Sequence, residues 1–302
     1  MEKKRNYRQR DLESPLNILT ESQQRTLELL ARYRYITTQQ LIDAGVSKNI
    51  GTIRNHVLYR LCKRAQKNLV QVQDYFATNS RFGRLPYIYS LTEYGAEFVA
   101  EMWGVPASEV RYPVGKIQFV ADYHHRTAYI DFCIAVDKWA DSDPERDVLE
   151  MLHYYDKTGA NRRGLSCRSV TRVLASEEVG EIEPDGLLLL NTGHKSRALA
   201  VEIHNTTDTK RIIQQLAKHS HAINTGSISK KLVHNSASFV LSVSMNPAQA
   251  KLVKTRFEAV EGFNGFKKLF AFSDLETIKE KGFELAFTHS DNQQALIFSK
   301  QN

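Results

Sequence analysis

The run LLLLNTGHKSRALAVEIH (187–204) leaves the chain little choice of local structure. Two apolar β-type segments flank the turn TGHKS, a pattern that predicts an antiparallel hairpin buried in a sheet. Ala198 and Ala200 leave room for a helix to lie across one face. The polar residues of this region gather at one end. Glu181, Glu183 and Asp185 precede the first segment, and Glu202 and His204 close the second.

With the turn centred near position 194, facing residues sum to about 388, so Asp185 falls opposite Ile203, give or take one residue. Side chains alternate along a strand, which puts Glu202 and His204 on one face. A slip of one residue brings Asp185 directly across from Glu202 or His204, at roughly 4.5–5.5 Å between Cβ atoms. Two carboxylates this close repel and raise each other's pKa unless a cation compensates. Mg²⁺ or Mn²⁺ held by Asp185 and Glu202 is the expected solution. Such an ion activates water and neutralises charge developing on a phosphoryl group.

The rest of the chain suggests what the cation would serve. Its 302 residues carry a net charge of +7, unevenly spread. Residues 1–90 hold 16 Lys/Arg against 7 Asp/Glu, whereas the remainder holds 25 against 27. An N-terminal module facing a polyanion follows, with a different task for the C-terminal part. Three scattered cysteines (Cys62, Cys133, Cys167) without a CxxC suggest neither a disulfide framework nor a zinc site, so a reduced, cytoplasmic setting is expected. No apolar run is long enough to span a bilayer, and no membrane insertion is expected.

Residues 1–18 read as a basic flexible arm and 19–103 as one domain. Helical periodicity runs through ESQQRTLELLARYRY, and Thr37 or Thr38 can cap QQLIDAG. A third helix after Val46, with Ser47 as N-cap, buries Ile50, Ile53, Val57, Leu58 and Leu61. Its opposite face carries Lys48, Thr52, Asn55, Tyr59 and Lys63, with Arg54, Arg60 and Arg64 at the edges. LVQVQDYF and PYIYSLT form a hairpin around a basic tip with Arg81 and Arg84, and TEYGAEFVAEMWG closes the unit as a helix. This order, with "YSLTEYG" at its exit, resembles the winged-helix family. The resemblance implies double-stranded DNA as partner, read by Lys48, Thr52, Arg54, Asn55 and Lys63, with Arg81 and Arg84 on the backbone or minor groove.

GVPASEVRYPVG opens a linker over 104–116, and 117–302 reads as a mixed α/β second domain. A long helix is expected in KIQFVADYHHRTAYIDFCIAVDKWA, offering His124, His125 and Asp131. Helices follow in TDTKRIIQQLAKHSHAI, NPAQAKLVKTRFEAV and SDLETIKEKG (Ser273 and Glu276 at capping-box spacing), with strands in ASFVLSVS, KLFAF and ALIF.

E-P-D-G, fourteen residues, then V-E-I-H resembles the PD-(D/E)xK (restriction-endonuclease-like) nuclease fold, with Asp185 and Glu202 as the metal carboxylates. The lysine usual in that family two positions after the glutamate is replaced by His204, a general base, phosphate contact or third ligand. Gln215 in the next helix resembles the glutamine that supports the site in some members, and Asp131 and His125 are further candidates. The two-part architecture resembles the replication-relaxation family, related to MOBC-type conjugative relaxases of plasmids and integrative elements. That likeness implies site-specific nicking at a transfer or replication origin, with relaxosome accessory and coupling proteins as partners. The alternative is a non-catalytic DNA-binding regulator with a decayed nuclease-like domain. A tyrosine nucleophile is not favoured, because no compact histidine triad accompanies the thirteen tyrosines.

Overall fold

The computed structural model describes residues 19–63, 67–74, 78–79, 83–113, 120–158, 168–233, 238–295 and 297. The basic arm (1–18), Arg64, Arg81 and Cys167 lie outside the described residues. The chain divides into two compact units, 1–123 and 124–302, each of mixed α and β structure.

In the first unit α1 (Glu21–Tyr33), β1 (Ile36–Thr37) and α2 (Thr38–Asp43) lead to α3. That helix is a continuous run of α-helical Ile50–Thr52, π-helical Ile53–Leu58 and α-helical Tyr59–Cys62. Thr37 caps α2, its Oγ1 accepting from the Gln40 N–H at 3.2 Å while Gln40 Oε1 accepts from the Thr37 N–H at 2.9 Å. The cap of α3 is Asn49 rather than the expected Ser47: Asn49 Oδ1 accepts from the N–H groups of Gly51 and Thr52. Ser47 instead accepts from the Asn49 N–H. Ile50, expected in the core, is exposed because the helix has only just begun there. Ile53, Val57, Leu58 and Leu61 are buried, whereas Lys48, Thr52, Arg54, Asn55, Tyr59 and Lys63 are exposed together.

Strands β2 (Val70–Gln73) and β5 (Ile88–Leu91) pair antiparallel, and β1 joins on the far side of β5. A short pair, β3 (Thr78–Asn79) and β4 (Gly83–Arg84), lies between them in sequence, with Arg84 on β4. Thr92 caps α4 (Glu93–Trp103) through the Gly95 N–H. A Cβ at Gly95 would sit 2.0 Å from the Leu69 carbonyl oxygen, so only glycine lets this helix approach the sheet so closely.

The second unit is built on a five-stranded mixed sheet. Helix α5 (Val120–Asp141) precedes β6 (Arg146–His153). Two small hairpins follow: β7 (Lys157–Thr158) with β8 (Arg168–Ser169), and β9 (Val173–Ser176) with β10 (Gly180–Ile182). Then come β11 (Gly186–Thr192), β12 (Ser196–His204), α6 (Thr209–Asn224), α7 (Ser227–Lys231), β13 (Ser238–Ser244), α8 (Pro247–Glu258), β14 (Phe270–Asp274) and α9 (Leu275–Lys281). The strand order is β14-β13-β12-β11-β6. β6, β11 and β12 run antiparallel, while β13 and β14 are parallel to β12.

One sheet face packs Leu187, Ala198, Ala200, Val240 and Phe272 against Ile212 and Leu216 of α6 and Val253 and Phe257 of α8. The alanines expected to admit a helix do so. Toward the other face Gly186 meets Tyr129 of α5. β6 was not among the expected strands, and two further expectations are corrected. Asp274 rather than Ser273 caps α9, accepting from the Thr277 N–H at 2.9 Å. The ALIF run adds no strand among the described residues, where Ala295 and Ile297 are simply buried.

Candidate active site

Gly186 pairs with Val201, and each later pair keeps the same sum, so the register brings Asp185 level with Glu202. Asp185 stands just before β11 and is fixed from three directions. Its carbonyl accepts from the Tyr154 N–H at 3.0 Å. Oδ2 accepts from the Ile203 N–H at 2.7 Å, and Oδ1 lies 2.8 Å from His125 Nε2 on α5. Glu202 is 2% exposed. Gln215 Nε2 of α6 donates to its Oε2 at 2.5 Å, and His219 Nε2 lies 2.5 Å from its Oε1. Gln215 and His219 are four residues apart on one helix face, which is why one helix grips both oxygens.

Glu181 and Glu183 take no part in this cluster. Arg172 pairs with Glu181 and lies 3.8 Å from Glu183. The three acids of EIEPDG therefore separate into a pair answered by an arginine and one, Asp185, directed at the strand ends.

The electrostatics follow from burial. Glu202 has its pKa pushed well above the usual carboxylate range, first by loss of water and then by the charge of Asp185. For His125, burial pulls the pKa down, but the hydrogen bond to Asp185 and the charges of Asp185 and Glu202 outweigh it, leaving a net rise. His219 is wholly buried and its pKa falls to about 4. His204 bonds through Nε2 to Ser242 of β13 at 2.9 Å, and burial lowers its pKa to about 4 as well. It is neutral at physiological pH.

Of the residues expected from sequence, Asp185, Glu202, His125 and Gln215 come together. His204 shares the strand end but turns to Ser242. Asp131 is exposed six residues beyond His125, about 240° around the helix. Reasoning from sequence missed the aromatic surround: Tyr129, whose Oη lies 3.1 Å from His153 Nδ1, and Tyr154, whose ring meets His125 edge-on at 5.3 Å. The four-residue spacing of His125 and Tyr129 was the available signal.

Among the described residues no group of three or more His, Cys, Asp or Glu side chains is positioned to hold a metal ion. Comparison with protein-family profiles, characterised proteins and solved structures finds no match to this chain.

The buried His204 makes an acid limb of stability testable. A histidine whose pKa is about 4 when folded and about 6.5 when free binds fewer protons in the native state between those values. Its contribution is complete above pH 6.5 and is lost as pH falls toward 4. Between pH 7 and 5 it amounts to about 2 kcal/mol. Denaturant titrations of the wild type and His204→Gln at both pH values should show this part of the loss only in the wild type. An equal loss in both would contradict the assignment.

Proposed function

We propose that the second unit is a metal-dependent DNA-nicking domain of the PD-(D/E)xK type and that the first is a winged-helix DNA-binding module. The whole would act at a transfer or replication origin in the manner implied by its likeness to replication-relaxation proteins. The observation that carries the reading is the convergence of Asp185 and Glu202 at adjacent strand ends, one fixed by His125 and the other by Gln215. It is supported by the order of elements along the main sheet: a helix, three antiparallel strands, helices α6 and α7 and a parallel strand, with Asp185 just before the second of these strands and Glu202 on the third.

The donor set suits a hard cation. Two carboxylates share one end of the sheet, and Glu202 resists ionisation there because burial and Asp185 both oppose a second charge. A divalent ion relieves that opposition as a proton does. Mg²⁺ needs only one or two carboxylates, the remaining positions being filled by water and phosphate. Held by Asp185 and Glu202, Mg²⁺ or Mn²⁺ supplies Lewis acidity toward a phosphoryl oxygen and a bound water of lowered pKa. His125 orients Asp185, and Gln215 and His219 orient Glu202, the supporting contacts that such ligands require.

Incubation of the full chain with supercoiled DNA of the replicon that encodes it tests the reading. Open circles should form with Mg²⁺ or Mn²⁺ and not with EDTA; circles forming equally in EDTA would overturn it.

A second reading, a DNA-binding regulator without catalysis, is favoured by one observation. Glu202 is buried with both oxygens engaged, and the neighbouring His204 is neutral. Both readings require the exposed face of α3 to meet DNA. Arg54→Ala should weaken duplex binding by about tenfold and shallow the slope of log K against log[salt] by about 0.9, one phosphate contact. Fluorescence anisotropy across a salt series measures both quantities, and an unchanged slope would remove Arg54 from the interface.

A further inference from the structure

We infer that Arg126 is the phosphate-binding cation of this site. The inference rests on the nicking reading for its substrate, a DNA phosphodiester, and on the following geometry for its residue. Arg126 follows His125 on α5, and His125 Nε2 lies 2.8 Å from Asp185 Oδ1. The Arg126 guanidinium carbon lies 4.9 Å from the centroid of the Tyr155 ring and 5.8 Å from that of Tyr154.

These tyrosines follow β6 directly, beside Asp185. The Tyr154 N–H donates to the Asp185 carbonyl, and the Tyr154 ring meets His125 edge-on. Tyr155 is itself braced, stacked on the His153 ring at 5.1 Å with 15° between planes. His153 in turn is held by the Tyr129 hydroxyl. A guanidinium resting on two rings is restricted in its rotamers and less hydrated than a free one. It therefore stands preorganised one residue along the helix from His125, which holds Asp185.

The chemistry argues for the same role. A phosphodiester approaching Asp185 and Glu202 meets like charge, which costs binding unless a fixed cation offsets it. Arg126 is half-buried and permanently charged, and its planar fork matches two phosphate oxygens. Arg126 thus binds and positions the scissile phosphate, while the carboxylates stay in place.

The test uses the full chain and a 20-base-pair duplex from its own replicon, with Ca²⁺ in place of Mg²⁺ for the binding measurements. Anisotropy across a salt series should show Arg126→Gln losing about 0.9 of slope, one phosphate contact, and Arg126→Lys retaining it. In Mg²⁺, Arg126→Gln should nick about 100-fold more slowly and Arg126→Lys recover at least a tenth of the wild-type rate. A role confined to packing on Tyr154 and Tyr155 predicts instead that lysine fails as glutamine does, with a lowered melting temperature in both. That pattern, or a wild-type slope and rate in Arg126→Gln, overturns the proposal. Should Arg126→Gln fail to fold, Arg126→Met carries the same comparison. The salt slope keeps the two claims apart: a chain that never nicks but loses the slope in Arg126→Gln retains the phosphate contact and refutes only the nuclease reading.

Discussion

Asp185→Asn is expected to reduce metal-dependent nicking by about 100-fold or more, roughly 3 kcal/mol of transition-state stabilisation. The substitution preserves volume, and the asparagine oxygen can still accept from the Ile203 N–H that Asp185 Oδ2 engages at 2.7 Å. Its amide can face His125, which accepts when neutral. The fold is therefore left nearly intact while the negative charge disappears. Glu202→Gln should behave alike, since Gln215 and His219 can both still bond an amide. His204→Gln should leave the rate within about threefold, because His204 faces Ser242 and carries no charge. Rates from supercoiled substrate, with duplex affinity measured in parallel, separate this from a binding defect. Wild-type nicking by Asp185→Asn would place the chemistry elsewhere.

Gly186→Ala should destabilise the second unit by about 3 kcal/mol, at the upper end of what overpacking costs. A Cβ there would lie 2.5 Å from Tyr129 Oη, 2.9 Å from Cε2 and 3.1 Å from Cζ. Tyr129 is 0% exposed and cannot swing away, being hydrogen-bonded to His153 and packed edge-on against Tyr154 and Tyr155. The strand must move instead, carrying Asp185 with it, so nicking should fall along with stability. The melting midpoint is expected to drop roughly 6–12 °C. Adding Tyr129→Phe, which removes the closest atom, should recover part of that loss. An unchanged midpoint in Gly186→Ala would mean that this contact is not tight in solution.

The glycine of E-P-D-G thus acquires a physical reason that its place in a motif did not supply. The hairpin itself was legible because two apolar runs about a short turn fix the register to within a residue, and that register aligns the two acids. Other parts of the site were not legible, for stated reasons. The strand β6 reads RDVLEMLH, rich in leucine, glutamate and methionine that favour helix in isolation. Only pairing with β11 makes it extended. With β6 unseen, nothing in the sequence placed Tyr154 and Tyr155 beside Asp185, or Arg126 over their rings. His204 was placed on the face of Glu202 by alternation, yet its partner Ser242 arrives through the parallel crossover to β13. Local spacing cannot encode that contact. The helix caps show the same limit on a smaller scale: Ser47 and Ser273 had the right chemistry, but Asn49 and Asp274, one or two residues on, reach the free N–H groups.

The central claim, that Asp185 and Glu202 together hold the catalytic cation, is tested most directly by Mn²⁺ binding followed through its electron paramagnetic resonance signal. The full chain with bound duplex should titrate one saturable Mn²⁺ site, lost in Asp185→Asn and in Glu202→Gln and retained in His204→Gln. Equal Mn²⁺ stoichiometry and affinity in the wild type and both carboxylate variants would contradict it.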